Sequence, residues 1–369
     1  MIFIRDFPPH LQQQIDAVIT FLSPYTKRAY FVGGCVRDLL LGCDVIDIDI
    51  EVYDIDPQTF DMLMCKFGAL GVGKSFFVYK FQDIDLSLPR LEQKNGVGHS
   101  AFSVRISQDE KEASKRRDFA MNALMLNIFN GVALDFWGGE SDIKKKCIKL
   151  IDEQAFREDS LRVLRAVQFA ARFDFSIDAH TLLVMQSIDI SDLSMTRIFW
   201  ELEKFFKAKF LHVGLLYFYK LGMFERIFGL HVSPEAFEKI IQELTDVDFE
   251  EEFKEYYLLF IICGVLGVHV KSILQKLQAP KRYFNTFKYQ PFIPNPSQQE
   301  LYTIAIQMPI KQWLGNYKKP IKQEAKNLDI FDVKYTGGVS VHDVIVDGFE
   351  KEAIAKEYAR RVLETIKPF

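Results

Sequence analysis

Several features that would assign this chain to a class at once are missing from its sequence. The five cysteines, at positions 35, 43, 65, 147 and 263, form no Cys-x-x-Cys pair and have no histidine at ligand spacing, which favours free thiols in a reducing compartment. We find no repeat, no low-complexity tract and no signal-peptide pattern. The apolar stretch at 256–270 is shorter than the roughly 18–20 residues that span a bilayer. These absences predict a soluble, cytoplasmic protein with no membrane partner.

A global excess of positive charge is also missing, because the 369 residues carry a formal net charge of −4. Charge is instead segregated along the chain. Residues 271–327 hold ten basic side chains and two acidic ones, and residues 243–255 just before them are strongly acidic. A basic segment interleaved with aromatic residues favours a local surface for a polyanion such as RNA, although a merely solvated helical face has the same pattern.

The pattern of apolar residues changes at about residue 140. Before it, short strand patterns such as AYFV and the alternating DVIDIDIEVYD are interspersed with helical ones, which predicts an α/β domain. After it, helical spacing dominates and strand candidates are scarce. Three prolines and no charged residue mark 289–299 as the best candidate linker. The fold class we predict is an α/β head, with a mixed sheet and flanking helices, followed by an elongated all-α remainder.

The octapeptide GALGVGKS at 68–75 matches the phosphate-binding pattern G-x-x-x-x-G-K-[ST] letter for letter. A working loop of this kind needs a strand before it and a helix after it, so that backbone N–H groups converge on the phosphates. Here a helical pattern precedes the motif and a strand pattern follows it. We therefore predict a helix-to-strand turn, and we keep a P-loop ATPase only as a remote alternative.

A better phosphate site is FVGGCVRDLLLG at 31–42. A strand that ends at Gly33 and Gly34 and leads directly into a helix lets the backbone approach a triphosphate closely, with the helix N-terminus behind it. Arg37, one turn into the helix, adds a cation near the same place. A tight strand-to-helix turn without a ligand remains the alternative for this motif alone.

Carboxylates follow at Asp47 and Asp49. On a strand, residues i and i+2 point to one face, so the two side chains are expected to project together. Adjacent carboxylates repel each other unless a cation lies between them, and Mg²⁺ takes carboxylate oxygens together with substrate phosphates. Asp85, on a later strand, is the candidate third ligand.

With these motifs in place the sequence resembles the class II tRNA nucleotidyltransferases, the CCA-adding enzymes, whose relatives include bacterial poly(A) polymerases. The resemblance rests on six ordered motifs, FVGGCVRDLLLG with DIDIEV, DLSLPRLE, KRRDFAMNAL, DFWGGESDI, REDSLRVLRAVQFAARFDF and MTRIFWELEKFF. It is dense over 31–206 and thin over 207–330. It implies a head at 1–140, a neck at 141–206, a body at 207–290 and a tRNA-binding tail at 291–369.

The resemblance also implies roles for individual residues. Two Mg²⁺ ions are expected at Asp47 and Asp49, with CTP and ATP as substrates. Gly34, Arg37 and Arg117 match positions that grip the nucleotide phosphates, and Asn122 matches the asparagine of the same RRD motif. No obligate protein partner is implied.

Base selection is implied at Asp159 and Arg162, which with Arg165 are expected to form one stripe of a helix. Cytosine and adenine each present an amino donor beside a ring-nitrogen acceptor, so an acceptor-only carboxylate and a donor-only guanidinium suit both bases. Without the resemblance, an intrahelical Asp–Arg salt bridge would be the simpler interpretation.

The function implied is template-independent addition of CMP and AMP to tRNA 3′ ends, with pyrophosphate released. Two alternatives remain open. The same chemistry serves a different product in related enzymes (C only, A only or poly(A)), and an RNA-binding protein without catalysis is the other class.

Overall fold

The computed structural model describes residues 6–73, 77–94 and 102–366. The chain divides into two compact units, Met1–Ser194 and Met195–Phe369. In the part of the chain that is described, no helix is both long enough and apolar enough to cross a membrane.

Seven strands of the first unit form a mixed sheet. The described strands are β1 (Ala29–Val32), β2 (Ile48–Val52), β3 (Leu70–Gly73), β4 (Val78–Phe81), β5 (Ile84–Ser87), β6 (Arg90–Lys94), β7 (Phe102–Ile106), β8 (Met125–Asn127), β9 (Ala133–Leu134), β10 (Cys147–Ile148) and β11 (Ser176–Ile177). The sheet order is β3-β4-β5-β2-β1-β8-β9, in which β2 and β5 are parallel and every other neighbouring pair is antiparallel. Strands β6 and β7 form a separate antiparallel pair, and β10 pairs with β11 in parallel.

The centre of this sheet follows from the apolar pattern of its strands. All four residues of β1 are buried, as expected for a strand covered on both faces. In β2 the apolar residues Ile48, Ile50 and Val52 are buried, and the acidic residues between them face the other way. The alternation therefore places acidic side chains on one face in the middle of the sheet.

Helices flank the sheet and follow it in the first unit. They are α1 (Pro9–Leu22), α2 (Gly34–Leu41), α3 (Pro57–Phe67), α4 (Glu110–Lys115), α5 (Gly139–Lys144), α6 (Glu153–Arg157), α7 (Leu161–Phe173) and α8 (Ala179–Gln186). Helix α1 buries Leu11, Ile15, Val18 and Leu22, which lie on one face at helical spacing. Asp56 caps helix α3, because its side chain accepts hydrogen bonds from the first-turn N–H groups of residues 58 and 59.

Helices are the regular elements of the second unit among its described residues, joined by turns and irregular segments. Its helices are α9 (Met195–Phe206), α10 (Leu211–Lys220), α11 (Pro234–Glu243), α12 (Lys254–Leu266), α13 (Val270–Lys276), α14 (Lys281–Thr286), α15 (Gln298–Gln307), α16 (Lys319–Asn327), α17 (Val341–Val346) and α18 (Glu352–Glu364). A capping box between Ser297 and Glu300 begins α15. The fully buried Trp313 lies in an apolar cluster formed with residues of α15 and α16.

The predicted fold class is confirmed, since a mixed sheet with flanking helices precedes a helical remainder. The candidate linker at 289–299 lies inside the second unit, where the Phe292 and Phe260 rings pack with their centroids 5.3 Å apart. The finer division into neck, body and tail stays a prediction.

Candidate active site

A cleft of about 270 Å³ opens beside the central strands of the first unit. Its walls come from β1, β2, β4 and β5, from the start of β6, and from the two arginines that follow α4. Its charged lining residues are three carboxylates and three guanidinium groups, Asp49, Glu51, Asp85, Arg90, Arg116 and Arg117. Carboxylates suit a divalent cation and guanidinium groups suit phosphate, so this cleft has the chemistry of a metal-nucleotide site.

A larger cavity of about 740 Å³ lies in the second unit. Its walls are mainly apolar and include Phe260, Phe287 and Phe292, and Glu300 is the single carboxylate among the described residues that line it. It therefore lacks the paired acidic groups that metal-dependent phosphoryl chemistry requires.

Two carboxylates meet in the cleft because β2 and β5 pair in parallel with Asp49 opposite Asp85. Side chains at paired positions of neighbouring strands point to the same face. The Oδ1 atom of Asp85 is buried and accepts no hydrogen bond from the described residues, and the Lys80 ammonium lies 3.7 Å from it. An incompletely matched oxygen beside a second carboxylate fits a bound cation.

The electrostatics of Asp49 support the same interpretation. Its side chain reaches solvent at the cleft mouth, but the protein packed around the carboxylate removes much of its hydration and raises its pKa. Arg117 lowers that pKa, and the charges of Asp85, Glu51 and Asp47 raise it again, so that the net direction is upward. A cation between Asp49 and Asp85 would relieve the repulsion.

Asp47 does not lie on strand β2 beside Asp49, where the sequence predicted it. Strand β2 begins at Ile48, so Asp47 precedes the strand, and its exposed side chain is not part of the cleft lining. The residues between α2 and β2 form no regular structure, so the period-two alternation does not extend back to Asp47. The two acidic residues that share a face within β2 are Asp49 and Glu51. Among the described residues, no group of three or more His, Cys, Asp or Glu side chains is arranged as a metal site.

The glycine turn lies at the edge of the cleft. Gly33 has φ +74°, a left-handed conformation that other residues rarely adopt, and α2 begins at the next residue. A Cβ atom at Gly33 would lie 3.2 Å from Nη1 of Arg117 and 3.5 Å from Oδ2 of Asp49. The missing side chain therefore keeps the backbone close to a cation and to a carboxylate of the cleft.

Arg116 and Arg117 share one buried acceptor. The Nη2 atoms of Arg116 and Arg117 donate to the same oxygen of Glu51, at 2.7 and 2.9 Å. Glu51 is only 1% exposed, and although burial opposes ionisation, the two guanidinium groups lower its pKa below the usual range. The carboxylate is thus held in its charged form beneath Asp49.

Arg37 and Asn122, which were predicted at the phosphates, lie instead in a buried network beside the turn. The Arg37 guanidinium donates to Asp38 at 2.8 Å and to Asn122 at 2.6 Å, and it stacks on Phe169 and Phe173. Burial lowers the pKa of Arg37, since Asp38 matches only part of the lost hydration. Its side chain therefore points into the protein, although Nη2 lies 3.4 Å from the position that a Cβ atom on Gly34 would occupy.

The same network extends to α7 through Asp118. This buried carboxylate accepts from Asn122 at 2.8 Å and from Nε of Arg165 at 2.7 Å. Burial opposes its ionisation, but Arg165 and the hydrogen bond from Asn122 lower its pKa. Arg165 is thus committed to Asp118, 47 residues away in sequence.

Asp159 and Arg162 do not form the predicted helical stripe. Helix α6 ends at Arg157 and α7 begins at Leu161, so Asp159 lies in the connection between them. The Arg162 guanidinium donates to the backbone carbonyls of Ala155 and Arg116, at 2.9 and 2.6 Å. Asp159 nevertheless stays next to the start of α7, because its carbonyl accepts from the backbone N–H of Arg162 at 3.1 Å. Burial lowers the pKa of Arg162, and the nearby charge of Asp159 opposes that shift.

The GALGVGKS motif has the wrong local structure for a P-loop, as predicted. Gly68, with φ +81°, ends helix α3, and the edge strand β3 begins two residues later. Lys74 and Ser75 lie outside the described residues. The order helix, glycine and strand is the reverse of a phosphate-binding loop.

The basic segment, residues 271–327, is partly neutralised by the acidic segment, residues 243–255. Lys318 pairs with Glu243 at 2.7 Å, and Lys322 pairs with Glu250 at 2.6 Å. Arg282 pairs with Glu255 at 3.2 Å. The surface available to a polyanion is therefore less positive than the sequence suggested.

Sequence reasoning missed four polar residues of the cleft, Glu51, Ser87, Arg90 and Arg116. Glu51 continues the alternating acidic row of DIDIEV, which was a usable signal. Arg116 is adjacent to Arg117, but adjacency gives no sign that both turn to the same carboxylate. Arg90 and Ser87 have no sequence signal beyond their position after Asp85.

Comparison with known proteins identifies the family to which the chain is similar. A family model described as Poly A polymerase head domain matches residues 29–149. The CCA-adding enzyme of Lactococcus lactis subsp. lactis is 32% identical over 283 residues, which cover 73% of this chain and 69% of that protein.

Solved structures show the same fold. The Bacillus stearothermophilus CCA-adding enzyme in complex with CTP has a TM-score of 0.67 at 23% identity, over 97% of this chain and 93% of that one. The Thermotoga maritima CCA-adding enzyme complexed with tRNA has a TM-score of 0.68 at 19% identity, over 98% and 92%. Together with the matched head domain, the identity to the Lactococcus enzyme shows that this chain is a nucleotidyltransferase of the CCA-adding enzyme family.

Proposed function

We propose that this protein adds CMP and AMP, taken from CTP and ATP, to the 3′ ends of tRNA and so completes or repairs the CCA sequence. One observation supports this most strongly. Asp49 and Asp85 lie side by side next to a glycine turn and an arginine, as transfer of a nucleotide from a metal-bound triphosphate requires. Membership of the family supplies the reaction class.

Asp49 and Asp85 would hold Mg²⁺, with the charge of Asp47 close by. An all-carboxylate donor set completed by phosphate oxygens is the environment that Mg²⁺ prefers, and two ions are expected. When bound, the ions activate the attacking hydroxyl and neutralise charge on the triphosphate and the leaving pyrophosphate.

The side chains of the cleft then have separate tasks. The 3′ oxygen of the RNA forms a bond to the α-phosphorus of the nucleotide, and the bond from that phosphorus to the oxygen bridging the β-phosphate breaks. Arg117 and the backbone of Gly33 and Gly34 hold the phosphates that leave as pyrophosphate. Arg37 and Asn122, being buried together, brace the turn from behind.

Asp159 and Arg162 select the base in this proposal. Arg162 is fixed by two backbone carbonyls and keeps further N–H donors for a ring nitrogen, while Asp159 offers an acceptor for the amino group. Arg165, bound to Asp118, steadies α7 and does not act on the base.

The tRNA is bound by phosphate contacts from lysines of the basic segment, including the exposed Lys311 and Lys319. We place the protein in the cytoplasm, where the free thiols of all five cysteines are stable.

Product length tests the proposed function. Purified protein is incubated with tRNA lacking its 3′ CCA and with labelled CTP, ATP or both, with and without Mg²⁺. We expect two C additions with CTP and one further A when ATP is present, all dependent on Mg²⁺. An unbounded A ladder would make the protein a poly(A) polymerase, additions that stop at C or consist of A alone would restrict its product, and no incorporation would leave only RNA binding.

A further inference from the structure

Glu51 stands out among the cleft residues because it lines the cleft and yet is almost inaccessible. It is 1% exposed, and a buried carboxylate is stable only when its charge and its lone pairs are matched. Oε1 accepts from Arg116 at 2.7 Å and from Arg117 at 2.9 Å, and Oε2 accepts from the Tyr53 hydroxyl at 3.2 Å. Both oxygens are therefore occupied by protein groups, so Glu51 is an unsuitable metal ligand.

The contact fixes the direction of Arg117. With Nη2 anchored on Glu51, Nη1 of Arg117 lies 3.2 Å from the position that a Cβ atom on Gly33 would occupy. Nε of Arg117 is buried and donates to no acceptor among the described residues. The guanidinium is thus held at one end by Glu51, and its other end faces the glycine turn.

Arg116 links this contact to the neighbouring helix. Its side chain shares the Glu51 oxygen, and its backbone carbonyl accepts from Arg162 of α7 at 2.6 Å. Glu51 also lies two residues from Asp49 on the same face of β2. One buried side chain therefore connects the two arginines to β2, the strand that carries Asp49.

We propose that Glu51 is a positioning residue for nucleotidyl transfer, whose buried carboxylate orients Arg117, together with Arg116, toward the triphosphate at the Gly33 turn. The inference rests on the proposed function, since it assumes that the cleft binds a nucleoside triphosphate. Glu51 affects the substrate only through the two arginines, which its carboxylate holds in place, and does not itself contact the substrate.

A matched control is present in the same unit. Glu110 accepts hydrogen bonds from Arg28 and from the Tyr30 hydroxyl, both at 2.9 Å, so it repeats the combination of arginine and tyrosine around a carboxylate. It is not part of the cleft lining. Glu110→Gln therefore reports what loss of such a contact does to the fold alone.

The test compares the KM values for CTP and ATP, kcat and the melting temperature of Glu51→Ala, Glu51→Gln, Glu51→Asp and Glu110→Gln. Glu51→Ala should raise KM by about 100-fold, because releasing a guanidinium displaces it by an ångström or more. Glu51→Gln keeps an oxygen acceptor at the same place, so KM should stay within about 3-fold of wild type although the charge is lost. Glu51→Asp keeps the charge but shortens the reach, and KM should rise about 10-fold. Glu110→Gln should leave KM unchanged.

The pattern distinguishes positioning from charge compensation. A Gln variant as defective as the Ala variant, with an Asp variant like wild type, would show that only the buried charge matters and would overturn the inference. An unchanged KM in all soluble Glu51 variants would overturn it too. If the Glu51→Ala variant does not fold, the difference in KM between the Glu51→Gln and Glu51→Asp variants is sufficient to distinguish positioning from charge compensation.

A double-mutant cycle adds a second readout. In the background of Arg117→Ala, most of the KM effect of the Glu51→Asp change should disappear, since the residue that it positions is gone. Equal effects in both backgrounds would contradict action through Arg117. Absence of incorporation by the wild-type protein would instead overturn the proposed function, so the two failures are distinguishable.

Discussion

Two regions of this protein concentrate positive charge, and they differ in how their cationic side chains are paired and exposed. In the cleft, Arg116 and Arg117 share a single carboxylate that is 1% exposed. In the basic segment, Lys318 and Arg282 each meet a carboxylate of the acidic segment, and the Arg282 side chain is 49% exposed. The cleft fixes two cations on one buried carboxylate, whereas the basic segment combines paired side chains such as Lys318 with exposed lysines such as Lys311 and Lys319.

The difference has consequences for recognition. A guanidinium fixed by a buried partner binds phosphate at a defined place, and bulk salt screens it weakly. Exposed lysines attract phosphates through an electrostatic field that falls off within about 10 Å at 0.1 M salt. Such a field does not specify where along the backbone a phosphate binds. The cleft should therefore recognise one nucleotide by geometry, and the basic segment should recognise an RNA backbone by charge.

The largest expected effect tests the cleft. Asp49→Ala should reduce nucleotide incorporation by at least about 1,000-fold, because the carboxylate opposite Asp85 is lost. Binding of tRNA, measured by filter retention, should be unchanged. Asp83→Ala, at the exposed turn before β5, is the matched control and should retain activity. Substantial incorporation by the Asp49 variant would place the chemistry elsewhere.

A moderate effect is expected in the basic segment. Lys311 and Lys319 are exposed and have no ion-pair partner in the part of the chain that the structure describes. Replacing either with alanine should weaken tRNA binding a few-fold at low salt and reduce the slope of log Kd against log salt by about 1. Lys318→Ala, which removes a lysine already paired with Glu243, should change the slope less. Equal slopes for all three variants would remove the distinction between paired and available lysines.

The smallest effect concerns the stability of the second unit. Burial opposes ionisation of Glu255, but Lys207 and Arg282 lower its pKa from 4.5 to about 2. A folded pKa below the unfolded one contributes stability that is present above pH 4.5 and is lost as the pH falls toward 2. Glu255→Gln should therefore cost about 1 kcal/mol near neutral pH and progressively less in acid.

Urea unfolding at several pH values measures this difference, with the exposed Glu252→Gln as control. A stability difference between wild type and the Glu255 variant that stays constant as the pH falls would show that the ion pairs contribute nothing specific.

Local patterns predicted the frame of the cleft. The strand, the paired glycines and the helix at 29–41 follow from apolar residues, chain reversal and helical spacing within a dozen residues. The same reasoning rejected the P-loop, since Gly68 caps a helix.

The sequence-based predictions were wrong where a side chain binds a partner that is distant in sequence. Arg37 turns inward to Asn122, 85 residues later, and Arg165 turns to Asp118. Asp159 was predicted within a helix, but it lies in the connection between α6 and α7. Periodicity places a residue on a face, but it does not specify which distant partner lies opposite, so the contact of Glu51 with two arginines could not be predicted.

We propose that a divalent cation binds between β2 and β5, and iron-mediated backbone cleavage tests this proposal most directly. Fe²⁺ is substituted for Mg²⁺ in the presence of CTP. Ascorbate and peroxide are then added to start radical cleavage near the bound iron, and the fragments are mapped by mass spectrometry. We predict cuts close to Asp49 and Asp85, suppressed by excess Mg²⁺ and absent in Asp49→Asn. Cuts confined to other segments, or cuts near Asp49 that persist in the Asp49→Asn variant, would contradict the account.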